Sequence, residues 1–156
     1  MSVQLTIPRE YGYVLAVASA TMFFSMWQGL RVGPFRKAAK IPYPQPYASP
    51  EELASEKDPA RKQAMYLFNC AQRAHGNFLE NYPAVLPAIL IAGLGYPRGA
   101  AVSGALWTVL RWVYARGYTR KDMTNGKGRL MGSGFWIVQT VLFGMVGKMA
   151  WDILMV

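Results

Sequence analysis

The sequence predicts an all-α integral membrane protein, a bundle of four transmembrane helices. Three observations point there. Apolar residues make up 53% of the 156 and charged residues only 16%, against roughly 25% charged in soluble domains. The few charges are clustered, so long stretches carry none. Connections rich in proline, glycine and charge separate those stretches. The length fits one domain, so residues 1–156 read as a single membrane domain.

The first span is "YGYVLAVASATMFFSMWQGL", residues 11–30, without a single charge. It is long enough to cross a bilayer core and predicts a helix over about 10–32. "MSVQLTIPRE" before it lacks a basic n-region, so the segment reads as a retained anchor rather than a removed signal. A loop over about 33–63 follows. Within it "SPEE", 49–52, has the form of a capping box, with Ser49 as cap, Pro50 at the first helical position and Glu52 closing it. The fold of the rest of 41–63 stays open.

"DPAR", 58–61, is a second helix start, for a helix that can run unbroken into "FLENYPAVLPAILIAGLG", 78–95. The second span is placed at about 64–95. Pro83 and Pro87 lie inside it, which membrane helices tolerate where neighbours satisfy the freed carbonyls. "GYPRG", 95–99, makes a tight link to "GAAVSGALWTVLRWVYARGY", 99–118. This third span, about 99–121, is rich in small residues that let helices approach closely. After "TNGKGR" comes "LMGSGFWIVQTVLFGMVGKMAWDILMV", 130–156, the fourth span at about 129–154. Lys148 and Asp152 within it, four residues apart, read as a self-neutralising interfacial pair.

The net charge is +9, and no nucleic-acid motif accompanies it. Seven basic residues lie in the first connection, from Arg31 to Lys62, and five around the third, from Arg116 to Arg129. The positive-inside rule then makes those connections cytosolic, with both termini opposite. Topology accounts for the charge, and nucleic acid is not needed. One cysteine, Cys70, and one histidine, His75, argue against a disulfide framework and a metal site. Cys70 reads as a packing residue.

One set of polar residues has no place in that scheme. Arg73, Asn77 and Glu80 are spaced i, i+4, i+7 in "FNCAQRAHGNFLENYP", 68–83, and line one helical stripe with Asn69 a turn earlier. His75 faces another way. Arg111, Tyr114 and Tyr118 repeat the pattern on the third span. Ionisable groups at membrane depth are functional candidates. Either Arg73 pairs with Glu80 and fixes helix register, or the stripe holds a polar, zwitterionic small molecule. In the second case guanidinium would take carboxylates, carboxylate an amine and amide the peptide groups.

"FNCAQRAHGNFLENYP" resembles the second-helix signature of the MAPEG family, the membrane-associated proteins of eicosanoid and glutathione metabolism. Its nearest likeness is to the microsomal glutathione S-transferase type 3 branch. "VLRWVYARGY" is similar to the family's R-x-x-Y-x-x-G-Y run, and "EYGYVL" and "FRKAAKIPYP" resemble the same branch. In the fourth segment only hydrophobicity corresponds.

The resemblance implies a four-helix trimer that binds glutathione as co-substrate between subunits near the cytosolic face, without metal. Arg73, Asn77, Glu80, Tyr114 and Tyr118 would hold the tripeptide. His75, Arg36 and Lys37 would reach it across the interface. Arg129 would face the sulfur, with Lys127 or Arg120 as alternatives, because the link before it aligns only with a gap. The implied activity is glutathione transfer to lipophilic electrophiles from the bilayer, or reduction of lipid hydroperoxides. The implied membrane is the endoplasmic reticulum, with the outer mitochondrial membrane as the alternative. A non-catalytic lipid-binding scaffold, like the lipoxygenase-activating branch, is the rival; that branch lacks the arginine matching Arg73. Asn81 departs from the tyrosine of the leukotriene-C synthase branch. The lipophilic substrate, the choice between conjugation and peroxidase activity, and concerted or single-site firing are not encoded legibly.

Overall fold

A computed structural model describes residues 7–155. The chain is all α. In order it forms α1 (Tyr11–Ala39), α2 (Pro50–Ser55), α3 (Pro59–Gly95), α4 (Pro97–Tyr118), a 3₁₀ turn (Lys127–Gly132) and α5 (Phe135–Leu154). Three stretches are long and apolar enough to cross a membrane: Tyr11–Ala39, Pro59–Gly95 and Lys127–Leu154. The expected third span, now α4, forms a helix of 22 residues but is not among them. Its arginines are the reason: Arg98 lies in the first turn, Arg116 in the last, and Arg111 between them is wholly buried.

Local sequence explains the helix ends. Ser49 accepts from the Glu52 N–H while the Glu52 carboxylate accepts from the Ser49 N–H at 2.7 Å, so the capping box is complete. Asp58 caps α3 by accepting from the Ala60 N–H, and Pro59 occupies the first helical position, where no N–H is needed. The α3 helix then continues through Pro83 and Pro87 to Gly95. Only Tyr96 separates it from Pro97, which forces α4 to turn back beside α3.

α1 runs antiparallel to α3. Tyr11 Oη donates to the Leu90 carbonyl at 3.1 Å, Thr21 Oγ1 meets Tyr82 Oη at 3.2 Å, and Arg36 lies over Phe68. α4 packs on α1, α3 and α5, and α5 also touches α3. Gly104 permits that central position. A Cβ there would come within 2.9 Å of both Ile89 and Val17 side chains.

The main core gathers Phe78, Val85, Ile89, Trp107, Phe135 and Leu142. A smaller cluster of Val32, Ile41, Ala48, Met65 and Phe68 seats the connection after α1 against α3. Asn69 fixes it further: its Oδ1 accepts from the Ala48 N–H and its Nδ2 donates to the Ala48 carbonyl, both at 2.8 Å. This polar residue of the stripe therefore serves the loop. One end of the molecule carries that loop and the 3₁₀ turn. The other carries the Tyr96 turn, where Lys148, Asp152 and Tyr96 bond together.

Candidate functional site

The polar stripe of α3 opens at the loop end. Arg73 Nη1 donates to Glu80 Oε1 at 2.6 Å, and Asn77 Nδ2 donates to Glu80 Oε2 at 3.3 Å. The i, i+4, i+7 spacing brings the three side chains together on one face. The ion pair is half-exposed, with Arg73 at 48% and Glu80 at 53% of their side-chain surface, so it remains open to a ligand. Its strength as a structural tie is modest for the same reason.

α4 supplies the wall. Arg111 is fully buried and donates Nη1 to Asn77 Oδ1 at 2.8 Å. No carboxylate pairs with it directly among the described residues; its charge lies instead among aromatic faces. The guanidinium is 4.2 Å from the Phe135 ring centre and 4.9 Å from that of Tyr114. Cation–π attraction strengthens when water is excluded, which offsets part of the desolvation cost. Tyr114 packs edge-on against Tyr118, ring centres 5.6 Å apart, and Arg129 lies 5.5 Å over Tyr118. A continuous path thus runs from Asn77 through Arg111, Tyr114 and Tyr118 to Arg129.

The 3₁₀ turn holds Arg129 in place by backbone contact. A Cβ on Gly117 of α4 would overlap the Gly128 carbonyl oxygen, and one on Gly128 would overlap that of Gly117. The turn therefore rests directly on the helix. Asn125 and Gly126 take left-handed φ values of 53° and 60° to bring it there, as the Asn-Gly pair permits. Tyr66 Oη accepts from the Gly126 N–H at 2.7 Å. Arg129 Nη1 is bound to the carbonyls of Asn125 and Gly126 at 3.0 and 2.9 Å.

The two alternatives to Arg129 stand differently. Arg120 pairs with Asp122, an exposed hydrogen-bonded couple that holds the arginine above its ordinary range and the carboxyl below. Lys127 is exposed on the turn.

His75, Arg36 and Lys37 are not part of this cluster within the chain. His75 faces α1, where a Cβ on Gly29 would sit 3.5 Å from its Cε1. Arg36 and His75 share a separate cavity of about 380 Å³, also lined by Gly33, Tyr43 and Gln72. The Arg36 guanidinium is already engaged, donating to the Pro42 and Gln45 carbonyls at 3.2 and 2.6 Å. Lys37 is exposed in the last turn of α1.

Sequence reasoning left Arg111 and Tyr47 out of the site. Arg111 was signalled by its i, i+3, i+7 stripe with the two tyrosines. Tyr47 had no signal, because the Asn69 clamp on the neighbouring Ala48 is what places it. A Cβ on Gly76 would meet Arg73 Nη1 at 3.8 Å and Tyr47 Oη at 3.9 Å, so the loop tyrosine borders the same surface. Among the described residues no three His, Cys, Asp or Glu side chains gather where they could hold a metal ion.

Residues 14–148 match the MAPEG family, most of the chain, and the protein belongs to it. That family contains glutathione transferases, peroxidases and non-catalytic members, and is generally glutathione-binding and oligomeric. With three apolar helices, membership marks an integral membrane protein.

Proposed function

We propose that this protein is a membrane glutathione transferase that activates glutathione as its thiolate. Arg73, Asn77 and Glu80 hold the tripeptide, Tyr114 and Tyr118 border it from α4, and Arg129 faces the sulfur. The observation that carries this reading is the convergence of donors and one acceptor at a single end. Arg73 and Asn77 Nδ2 both turn toward Glu80 on a half-exposed face. Such a surface suits a zwitterion: its carboxylates meet guanidinium, its ammonium meets the Glu80 carboxylate.

The chemistry follows from the arginine. Free thiol is mostly protonated near neutrality, and only the thiolate attacks. A guanidinium within hydrogen-bond reach favours the charged sulfur. Arg129 spends Nη1 on its own turn, which fixes the plane of the guanidinium and leaves Nη2 and Nε for the ligand. The thiol proton passes to water. In conjugation the new S–C bond forms as a π bond or carbon–leaving-group bond of the electrophile breaks, and the displaced electron pair departs with the leaving group or takes a proton from water. In peroxide reduction two glutathiones become a disulfide while the hydroperoxide becomes alcohol and water.

The assembly in this reading is a trimer of four-span subunits in the endoplasmic reticulum, or the outer mitochondrial membrane, with the basic connections cytosolic. His75, Arg36 and Lys37 then address the neighbouring subunit's ligand, which suits the separate cavity that His75 and Arg36 border. A lipophilic second substrate reaches the sulfur from the bilayer. Calorimetric binding of glutathione, read with the ultraviolet signal of bound thiolate, tests the proposal. Absence of binding would favour the non-catalytic scaffold, in which the Arg73–Glu80 pair only fixes register.

A further inference from the structure

We infer that Tyr47 and Arg73 form a single carboxylate clamp across Gly76, with the Tyr47 hydroxyl as a ligand contact supplied by the connection after α1. The inference rests on the glutathione reading for the ligand's identity. It adds to that site a donor that none of its helices provides.

Tyr47 is held from both sides. On one, Gln45 Nε2 donates to the Tyr47 carbonyl at 2.9 Å and to Glu52 Oε2 at 2.6 Å, which ties the loop to the capping box of α2. Arg36, buried on α1, donates in turn to the Gln45 carbonyl at 2.6 Å. On the other side Ala48 is 2% exposed and engages the whole Asn69 carboxamide of α3. Three helices thus fix a short stretch that has no regular structure of its own.

The side chain placed in this way is not spent on packing. Tyr47 is 40% exposed, and its hydroxyl has no hydrogen-bond partner among the described residues. Gly76 shows where that hydroxyl lies. A Cβ there would sit 3.9 Å from Tyr47 Oη and 3.8 Å from Arg73 Nη1, so one point is within 4 Å of both groups. Nη1 carries two N–H groups and needs one for Glu80. The missing side chain of Gly76 keeps the gap between the two donors open. A carboxylate has two oxygens and can accept from both donors at once, and its charge strengthens each bond. An ammonium would be repelled by the guanidinium and falls to Glu80. Fixing helix register through the Arg73–Glu80 pair needs neither the loop hydroxyl nor the gap.

The test uses the detergent-purified full chain, with glutathione as probe and calorimetry as readout. Tyr47→Phe keeps the ring and removes only the hydroxyl. It is expected to weaken glutathione binding roughly 5- to 10-fold, the scale of one hydrogen bond. Thermal unfolding and tryptic cleavage at Lys40 should not change, which separates lost contact from a loosened loop. In an Arg73→Ala background the same change should cost less than about 2-fold, because the two donors share one acceptor. Unchanged affinity in Tyr47→Phe, or equal losses in both backgrounds, would overturn the clamp. Gly76→Ala is the second variant, and it narrows the gap without touching either donor. Alanine is the better helix former, so unfolding should move to higher temperature while glutathione binding weakens. A Gly76→Ala protein that binds as tightly as wild type would also overturn the clamp. Failure of the wild-type protein itself to bind glutathione would remove the glutathione reading and the clamp together, a result distinct from any difference between variants.

Discussion

Arg111 Nη1 donates to Asn77 Oδ1 at 2.8 Å, joining a fully buried cation of α4 to a partly exposed amide of α3. The bond sits where the core meets the polar rim. Four aromatic rings surround the guanidinium, and its Nη1 edge reaches the stripe. In the proposed reading, core packing and ligand recognition thus share a residue.

Arg111→Ala should be among the most destabilising single changes in the chain. It empties a site walled by Phe78, Trp107, Tyr114 and Phe135 and leaves Asn77 Oδ1 without its donor. Large-to-small core changes cost about 2–5 kcal/mol. Arg111→Met keeps most of the volume and relieves the buried charge, so its loss should be smaller. Thermal unfolding in detergent compares them, and equal losses would speak against the packing role.

Arg73→Ala should act the other way round, on binding rather than stability. The Arg73–Glu80 pair is half-exposed, and such pairs contribute about 0–1 kcal/mol to folding. Loss of a charged hydrogen bond to ligand should cost about 1.5–3 kcal/mol of glutathione affinity. Unchanged affinity with lowered stability would return Arg73 to the register-fixing role.

Gly117→Ala tests how Arg129 is placed. The added methyl collides with the Gly128 carbonyl on the turn, and two backbones cannot yield as a flexible side chain would. The turn should lift, separating Arg129 from Tyr118. Expected is a loss of bound-thiolate signal of about tenfold or more, with glutathione affinity changed less than about threefold. Equal loss of both would show that the turn also holds the tripeptide.

Asn69→Ala should free the connection after α1. It removes both bonds to Ala48 and leaves the backbone of a buried residue unsatisfied, at a cost of about 1–3 kcal/mol. Limited trypsin digestion should then cut faster at Lys40, at the start of the loop. An unchanged digestion rate would mean that the Ile41–Met65–Phe68 cluster alone seats it.

Local features were the legible ones. The capping box at Ser49–Glu52 and the start at Asp58 depend on residues within three positions of each other, and both are present. The stripe of Arg73, Asn77 and Glu80 followed from helical period alone. Features set by contact between distant segments were not legible. Tyr47 borders Arg73 because Asn69 grips its neighbour across 21 residues. The partners of Gln139 lie 32 and 58 positions away, and a lone glutamine in an apolar helix carries no sign of them. The arginines of α4 were legible, but the complete burial of Arg111 was not, because it depends on a helix with three neighbours burying a cation that lipid would not accept.

The most direct test of the account is the thiolate itself. Purified wild-type protein and Arg129→Ala are each titrated with glutathione, following heat and ultraviolet thiolate absorbance together. The account predicts that both bind, within about threefold of each other, and that only the wild type shows the thiolate. A thiolate signal of equal size in Arg129→Ala would contradict it, and the activating cation would have to be sought elsewhere at the loop end.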